Sequence, residues 1–233
     1  MIYAMSDIHG KYDKYIMMLE RINFCKDDTL FILGDIVDRG EEPIKVIKDM
    51  MERPNVYPIM GNHDLIALKV LRKLAVEITE SNYDNQVDSS VMHMLLDWIQ
   101  EGGSTTLEKF RELSLEERED ILDYLEDFSH YETIDVGDRT FILVHAGLGN
   151  FRPGKKLSEY SSYELMMMRT NTDEKYFDDD TVYVVCGHTP TVYFSGKAEI
   201  YQKNNIICID CGACFKNGRL ACLCLDNMKE FYI

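Results

Sequence analysis

The chain has 233 residues, and its 41 acidic side chains outnumber its 25 basic ones, which gives a formal net charge of −16. Because affinity for a phosphate backbone comes mainly from an excess of Lys and Arg, this balance excludes a general nucleic-acid binder. A composition that is 45% hydrophobic and 28% charged is typical of globular proteins. It excludes a disordered chain, a collagen-like repeat and a small disulfide-rich scaffold.

The length suits one large domain or two small ones, and we expect a single domain over residues 1–233. The stretch from Met1 to Asp7 lacks the basic and apolar regions of a signal peptide. We therefore expect a cytoplasmic protein. We also expect no membrane partner, because no apolar run approaches the ~20 residues that span a bilayer.

The first 65 residues alternate strand patterns with amphipathic helical patterns. Strands are expected at residues 2–6, 29–33 and 56–60, and helices at 11–22 and 43–52. This order predicts a parallel sheet with helices packed against it.

Helical periodicity dominates from residue 66 to residue 130 and predicts a helical insertion or cap within the domain. Its helices are expected at 66–78, 91–100, 105–113 and 116–128, with a polar loop at 81–90. Strand patterns then resume at 132–136, 140–144, 182–186, 206–210, 220–225 and 230–233. The second set of strands predicts an α/β fold in which two β-sheets pack together between outer helices.

Polar clusters rich in Gly, Asp, His and Asn follow five of the predicted strands. They are Asp7-Ile8-His9-Gly10, Gly34-Asp35 with Asp38-Arg39-Gly40, Gly61-Asn62-His63-Asp64, His145-Ala146-Gly147 and Gly187-His188. Because ligands of such sheets bind beyond the carboxyl ends of the strands, we expect the clusters to converge. Carboxylate, imidazole and amide oxygen together suit manganese, iron or zinc. A carboxylate shared by two ions ~3.5–4 Å apart is the arrangement of two-metal hydrolases.

Cysteines crowd the C-terminal region of the chain, which raises the question of a zinc site. Cys208 and Cys211, and later Cys222 and Cys224, lie among Ile, Leu and Ala in strand-like patterns. That pattern favours cysteine as a small apolar residue over cysteine as a zinc ligand. We expect free thiols in a reducing compartment.

The five clusters, in this order, resemble the signature of the calcineurin-like metallophosphoesterases. The run from Gly34 to Gly40 resembles more narrowly the bacterial and phage serine/threonine phosphoprotein phosphatases. The resemblance implies a four-layer αββα sandwich of two mixed β-sheets. It implies a phosphatase that hydrolyses phosphate monoesters, of a phosphoprotein or a small nucleotide, by attack of a hydroxide that bridges two metal ions. The ions would be divalent, with manganese favoured and iron or zinc as alternatives.

The same resemblance assigns roles to individual residues. The metal ligands would be Asp7 and His9 for one ion, Asp35 for both ions, and Asn62, His145 and His188 for the other. His63, paired with Asp38, would act as general acid toward the leaving oxygen, since an Asp partner raises the pKa of His and fixes its tautomer. Arg39 and Arg169 would bind the substrate phosphate.

One position departs from the resemblance. Phosphoprotein phosphatases usually carry Arg just before Gly-Asn-His, whereas this chain has Met60. An apolar residue there resembles the hydrolases of symmetrical dinucleoside tetraphosphates, whose second motif often lacks the Asp that this chain has at position 38. Hydrolysis of dinucleoside polyphosphates is therefore the alternative function. A non-catalytic scaffold of the same fold is disfavoured, because none of the implied ligands is missing.

Overall fold

Two five-stranded β-sheets pack face to face in the computed structural model, which describes residues 1–75 and 89–233. The first sheet has the order β10-β9-β1-β2-β3 and contains β1 (Ile2–Met5), β2 (Thr29–Ile32), β3 (Val56–Pro58), β9 (Ala221–Cys224) and β10 (Lys229–Tyr232). The second has the order β4-β5-β6-β8-β7 and contains β4 (Tyr131–Val136), β5 (Arg139–Val144), β6 (Val182–Cys186), β7 (Tyr201–Lys203) and β8 (Ile206–Cys208).

Both sheets are mixed, with a parallel centre. Strands β1, β2 and β3 are parallel to one another, and so are β5, β6 and β8. The outer pairings, β1 with β9, β9 with β10, β4 with β5 and β7 with β8, are antiparallel. The carboxyl ends of the parallel strands therefore lie along one edge of each sheet, where the polar clusters of the sequence follow.

The core has an inner layer between the sheets and outer layers under the helices. Alternation along β5 shows the division, since Phe141 and Leu143 enter the inner layer while Ile142 and Val144 pack on the helical side. The first sheet contributes residues such as Ala4, Phe31 and Leu223 to the same inner layer. Period-two apolar patterning thus places both sheet faces in the core.

Helices cover the outer faces and connect the strands. They are α1 (Tyr12–Arg21), α2 (Pro43–Met51), α3 (Asn62–Ala75), α4 (Ser89–Trp98), α5 (Ser104–Arg111), α6 (Leu115–Glu126), α7 (Ser162–Met166) and α8 (Val192–Ser195). A kinked turn, Ile99–Gly103, joins α4 to α5, and a 3₁₀ turn, Leu157–Glu159, precedes α7. Ser114 starts α6 with a capping box to Glu117, which satisfies backbone N–H groups at the start of the helix.

The α/β fold with two packed mixed sheets is confirmed, and the predicted strands agree with the observed ones within two residues at each end. The helix predicted from residue 66 begins four residues earlier, so Asn62 and His63 lie in the first turn of α3 rather than in a loop. Strand β7 and helices α7 and α8 were not predicted, because elements of three to five residues carry too little periodicity. The end of the predicted helix 66–78 and most of the predicted loop 81–90 lie outside the described residues.

All seven cysteines lie within the described ranges and are free. Cys186, Cys208, Cys222 and Cys224 are buried in strands, among apolar neighbours. Within residues 1–75 and 89–233, no helix combines the length and the apolarity needed to cross a bilayer. The single domain, the helical insertion at residues 66–130 and the cytoplasmic location remain predictions.

Candidate active site and metal centre

The candidate site lies where the loops after β1, β2, β3, β5 and β6 meet. The backbone N–H of His188, after β6, donates to Asp7 Oδ2, after β1, at 3.0 Å. The backbone N–H of His63 donates to Asp35 Oδ1 at 3.0 Å. Five clusters that are up to 181 residues apart in sequence therefore form one site, as expected for the carboxyl ends of parallel strands.

Left-handed backbone conformations let the chain turn sharply at the strand ends. Six non-glycine residues of the site have φ between +46° and +69°: Asp7, His9, Asp35, Asp38, Arg39 and His188. Such conformations cost roughly 1–2 kcal/mol each for L-residues. Gly187 has a related role, because a Cβ at that position would collide with the carboxylate of Asp7. The local strain is consistent with a functional site.

Asp35 lies between two imidazoles. Its Oδ2 is 3.7 Å from Nε2 of His9, and its Oδ1 is 3.4 Å from Nε2 of His145. The Nδ1 atoms of these histidines lie 2.9 Å and 2.7 Å from backbone carbonyls of Val37 and Leu33. An Nδ1–H that donates to a carbonyl leaves the Nε2 lone pair free to bind a metal.

Asn62 and His188 complete a second group of lone-pair donors. Asn62 Oδ1 lies 2.9 Å from Nε2 of His145 and 2.9 Å from Nδ1 of His188. Because His145 donates through Nδ1, both its Nε2 and the amide oxygen present lone pairs, which repel at this distance. A divalent cation among these atoms removes the repulsion, so the donor set fits a metal site.

Geometry groups the ligand atoms into two positions that share Asp35. His9, Asp35 and His63 form the first position, and Asp35, His145 and His188 form the second, with ligand atoms within 4.8 Å of one another in each. His63, which the resemblance assigns to acid catalysis, thus lies within reach of the first position. The arrangement can hold two divalent cations with one bridging carboxylate.

His63 and Asp38 form a buried pair next to the first position. Nδ1 of His63 lies 2.7 Å from Asp38 Oδ2, and the two residues are only 3% and 0% exposed. Burial lowers the pKa of His63, but the hydrogen bond to Asp38 and the charge of Asp35 outweigh it, so the pKa lies above its ordinary value. The pair can keep an imidazolium that donates a proton from Nε2.

Arg39 lies directly against both imidazoles of this region. Its guanidinium is 2.8 Å from Nε2 of His9 and 2.7 Å from Nε2 of His63. Arg39 can donate to each Nε2 only through that atom's lone pair, so a cation bound to His9 and a proton on Nε2 of His63 both require the guanidinium to turn away. Arg169 donates to Thr189, the residue after His188, at 3.4 Å, and its charge acts on His188 and Asp210. Both arginines are exposed and can reach an anion over the site.

The structure places two further buried acids here, to which the sequence pattern assigns no role. Asp64 accepts the backbone N–H groups of Asp35, Ile36, Val37 and Gly61 at 2.8, 2.9, 3.3 and 3.1 Å, and so fixes the loop that carries Asp35. Asp210 follows β8 and accepts the N–H of Gly212 at 2.8 Å. Its position in Asp210-Cys211-Gly212, at the end of a predicted strand, was the signal that could have identified it.

The acids of the site titrate unusually because they are buried together. Three imidazoles outweigh burial at Asp35 and hold its pKa below the ordinary range. Burial and the neighbouring acids raise the pKa of Asp7 well above its usual value, that of Asp64 to about 6 and that of Asp210 to about 7. Burial also lowers the pKa of His9 to about 3 and that of His188 to about 4. Neutral imidazoles beside clustered carboxylates form a favourable environment for divalent cations.

The family model of calcineurin-like phosphoesterases matches residues 1–211. The chain belongs to this family. Members of this calcineurin-like phosphoesterase family use divalent metals. The resemblance drawn from the strand-end clusters is confirmed.

Among curated relatives, the phosphoesterase is similar to symmetrical bis(5′-nucleosyl)-tetraphosphatases. It is 33% identical over 99 residues to the enzyme of Buchnera aphidicola subsp. Acyrthosiphon pisum (strain 5A), a match covering 42% of this chain and 36% of the relative. It is 26% identical over 113 residues to the enzyme of Wigglesworthia glossinidia brevipalpis, covering 48% and 42%. These matches span less than half of either relative.

Solved structures show the same fold at low sequence identity. A candidate diadenosine tetraphosphatase aligns with a TM-score of 0.68 and 19% identity, covering 100% of this chain and 92% of its own. A serine/threonine phosphatase from Saccharomyces cerevisiae aligns with a TM-score of 0.53 and 14% identity, covering 90% and 66%. At these identities, both similarities show only that the fold is shared.

Proposed function

We propose that this phosphoesterase hydrolyses phosphate monoesters with two divalent metal ions, in the manner of serine/threonine phosphoprotein phosphatases. The supporting observation is Asp35, whose two carboxylate oxygens face His9 of the first position and His145 of the second at 3.7 Å and 3.4 Å. A carboxylate shared in this way fits a bridging ligand.

The proposed ligands are those implied by the sequence: Asp7 and His9 at the first position, Asp35 at both, and Asn62, His145 and His188 at the second. Manganese suits this mixed oxygen and nitrogen shell. When bound, two such ions would supply Lewis acidity and lower the pKa of coordinated water toward neutrality.

The chain's own side chains would bind the phosphate and supply a proton. Arg39, beside His9 and His63, and Arg169, near His188, would bind the phosphate oxygens and offset the charge that develops on them. Nδ1 of His63 is held by Asp38 at 2.7 Å, so its Nε2 faces the site. From there His63 would donate a proton to the leaving oxygen.

The test offers the purified, manganese-supplemented protein three substrates: a phosphoserine peptide, p-nitrophenyl phosphate and diadenosine tetraphosphate. We expect release of inorganic phosphate from the first two, loss of activity with a chelator and recovery with manganese. Two metal ions per chain should be found in the active protein. Absence of turnover with two metals bound would contradict the proposal and would favour a binding scaffold.

Hydrolysis of dinucleoside polyphosphates is the second candidate function, and two observations favour it. Met60, where phosphoprotein phosphatases carry Arg, is 3% exposed and packs in the core, so it offers no cation to the substrate. A cavity of about 530 Å³ lies between α8 and the loop after Cys211. Two of its walls are the aromatic rings of Tyr193 and Phe215, which are 73% and 48% exposed.

The cavity adjoins the residues of the site. Cys214, in the same loop as Phe215, has its Sγ 4.0 Å from the guanidinium of Arg39. Thr191, at the start of α8, donates its N–H to the carbonyl of Asp210. A nucleobase stacked on the exposed rings would lie beside a phosphate bound to Arg39, and pockets of this volume hold molecules of that size.

Alanine substitutions separate the two candidates. If a nucleobase occupies the cavity, Tyr193→Ala and Phe215→Ala should raise KM for diadenosine tetraphosphate roughly 5- to 50-fold, since stacking contributes about 1–3 kcal/mol. The KM for p-nitrophenyl phosphate should stay the same. Tyr163→Ala, at an exposed tyrosine outside the cavity, is the control. Equal KM values for wild type and both variants would remove the support that the cavity gives to this candidate.

A further inference from the structure

The carboxylate of Asp38 is completely buried and has three side-chain partners. His63 Nδ1 lies 2.7 Å from Oδ2, Trp98 Nε1 donates to Oδ2 at 2.8 Å, and the hydroxyl of Thr106 donates to Oδ1 at 2.7 Å. Two of the three partners come from residues 89–126, which contain α4, α5 and α6 and are called the helical segment below. The partners are themselves buried, with Trp98 at 1% and Thr106 at 0% exposure.

We propose that Trp98 and Thr106 are positioning residues for proton donation by His63. The inference rests on the proposed role of His63 as general acid. Two donors on different oxygens fix the plane of the Asp38 carboxylate, and the hydroxyl of Thr106 also accepts the N–H of Asp38 at 2.9 Å. Asp38 then holds His63 by Nδ1 and directs Nε2–H toward the leaving oxygen.

The helical segment also fixes the backbone next to Asp38. The N–H of Arg39 donates to the carbonyl of Gly102, in the kinked turn between α4 and α5, at 2.9 Å. Gly102 has φ of +107°, and a Cβ there would lie 2.7 Å from Cγ of Arg39. The close fit of this turn to Asp38 and Arg39 supports a catalytic contribution from the helical segment.

A purely structural role is the competing explanation, because Trp98 and Thr106 are both core residues. The two roles differ in their dependence on the leaving group. A general acid matters most for a poor leaving group such as phenol and least for a good one such as p-nitrophenol. Loss of positioning therefore lowers hydrolysis of phenyl phosphate more than that of p-nitrophenyl phosphate, whereas loss of folded protein lowers both equally.

The first experiment compares Thr106→Val, Thr106→Ser and the control Thr105→Val in the manganese-loaded protein. Thr105 is adjacent in α5, and its hydroxyl bonds to the carbonyl of Gly102 rather than to Asp38. Thr106→Val should lower kcat for phenyl phosphate about 10- to 100-fold and kcat for p-nitrophenyl phosphate less than about 5-fold. The larger loss is smaller than the roughly 10²–10⁴-fold effect of removing a general acid, because His63 itself remains. Thr106→Ser should recover kcat to within about 3-fold, because it restores the hydroxyl.

The second experiment uses Trp98→Phe, which keeps a large ring and removes the N–H. Like Thr106→Val, it should lower kcat for phenyl phosphate more than kcat for p-nitrophenyl phosphate. The inference therefore stays testable if the valine variant does not fold. Equal losses on both substrates, or unchanged kcat in Trp98→Phe and Thr106→Val, would overturn the proposal.

A spectroscopic measurement removes the dependence on turnover. The Nδ1 proton of His63, bonded to Asp38, should give a downfield proton resonance that is identified by its absence in His63→Asn. Thr106→Val should shift or broaden it, and Thr106→Ser should restore it. If His63→Asn leaves hydrolysis of phenyl phosphate unchanged, the proposed acid role fails. If only His63→Asn impairs hydrolysis, the acid role stands and the positioning inference fails.

Discussion

The first position takes His9 and Asp35 from the loops after β1 and β2, and His63 from the start of α3, which follows β3 of the same sheet. The second position combines Asp35 with His145 and His188, which follow β5 and β6 of the other sheet. The first position therefore depends on the internal order of a single sheet, whereas the second also depends on how the two sheets pack. Because Asp35 belongs to both positions, a change in the loop after β2 affects both of them.

Asp35→Asn should have the largest effect, because it removes the charged group that both positions share. We expect kcat/KM to fall by more than about 10³-fold, the scale on which removal of a principal electrostatic group acts. Metal analysis after gel filtration should find fewer than two ions per chain. Asp178→Asn, at an exposed acid, should retain full activity, and two tightly bound ions in Asp35→Asn would contradict a shared ligand.

His63→Asn decides whether the first position includes His63 as a ligand. We expect kcat to fall by roughly 10²–10⁴-fold with both ions retained, since general acid catalysis has that value. Kinetics and metal content are measured on the same preparation. A stoichiometry of one ion would make His63 a ligand, and unchanged kcat would exclude it as the acid.

Asp64→Asn should weaken both positions by a smaller amount. Its carboxylate accepts four backbone N–H groups around Asp35 and Gly61, and an amide can accept through only one of its two heavy atoms. Loss of such a supporting residue costs about 10–100-fold in metal affinity. Competition with a metal-binding dye should show this loss for both ions, and a loss at one position alone would contradict the role of Asp64 in holding the shared ligand.

Asp210→Asn should have the smallest effect of the four substitutions, a change in the thermal stability of the metal-free protein. Asp210 belongs to the second sheet, and burial and the charge of Asp35 raise its pKa to about 7. A raised pKa means that the folded protein loses stability as pH rises toward 7 and stays at the lower value above it. At pH 8 the substitution removes an unfavourable charge, and the melting temperature should rise by roughly 3–6 °C.

The increase should be smaller at pH 5.5, where Asp210 of the wild type is mostly protonated. The increase in melting temperature is measured by thermal unfolding of both proteins in the presence of a chelator, at pH 5.5 and at pH 8. A larger increase at pH 5.5 than at pH 8 would contradict the raised pKa.

The sequence was most informative where strand, turn and polar cluster are contiguous. Asp7, Asp35, His145 and His188 could be placed in one site because the carboxyl ends of parallel strands meet by topology, without any knowledge of side-chain packing. Strand topology does not place Trp98 or Thr106, because both lie in the helical segment. They approach Asp38 from 60 and 68 residues further along the chain, and helical periodicity indicates a buried face without naming what it packs against.

Asn62 and His63 show a different limit. The sequence identified both residues but placed them in a loop, because the helical pattern of apolar residues becomes visible only from residue 66. In the structure they occupy the first turn of α3. Polar side chains are common at helix starts, where N–H groups lack partners inside the helix. A pattern based on apolar spacing therefore places the start of the helix too late.

The left-handed backbone of six site residues has a consequence for engineering. Glycine adopts φ near +46° to +69° without the steric cost that Asp, His and Arg incur at these positions. A redesign that optimises only the folding free energy would therefore favour glycine at several of them and would erase the metal and phosphate ligands. Thermostable variants of this phosphoesterase should be sought on the helical surface, away from the strand ends, where stability and activity do not compete.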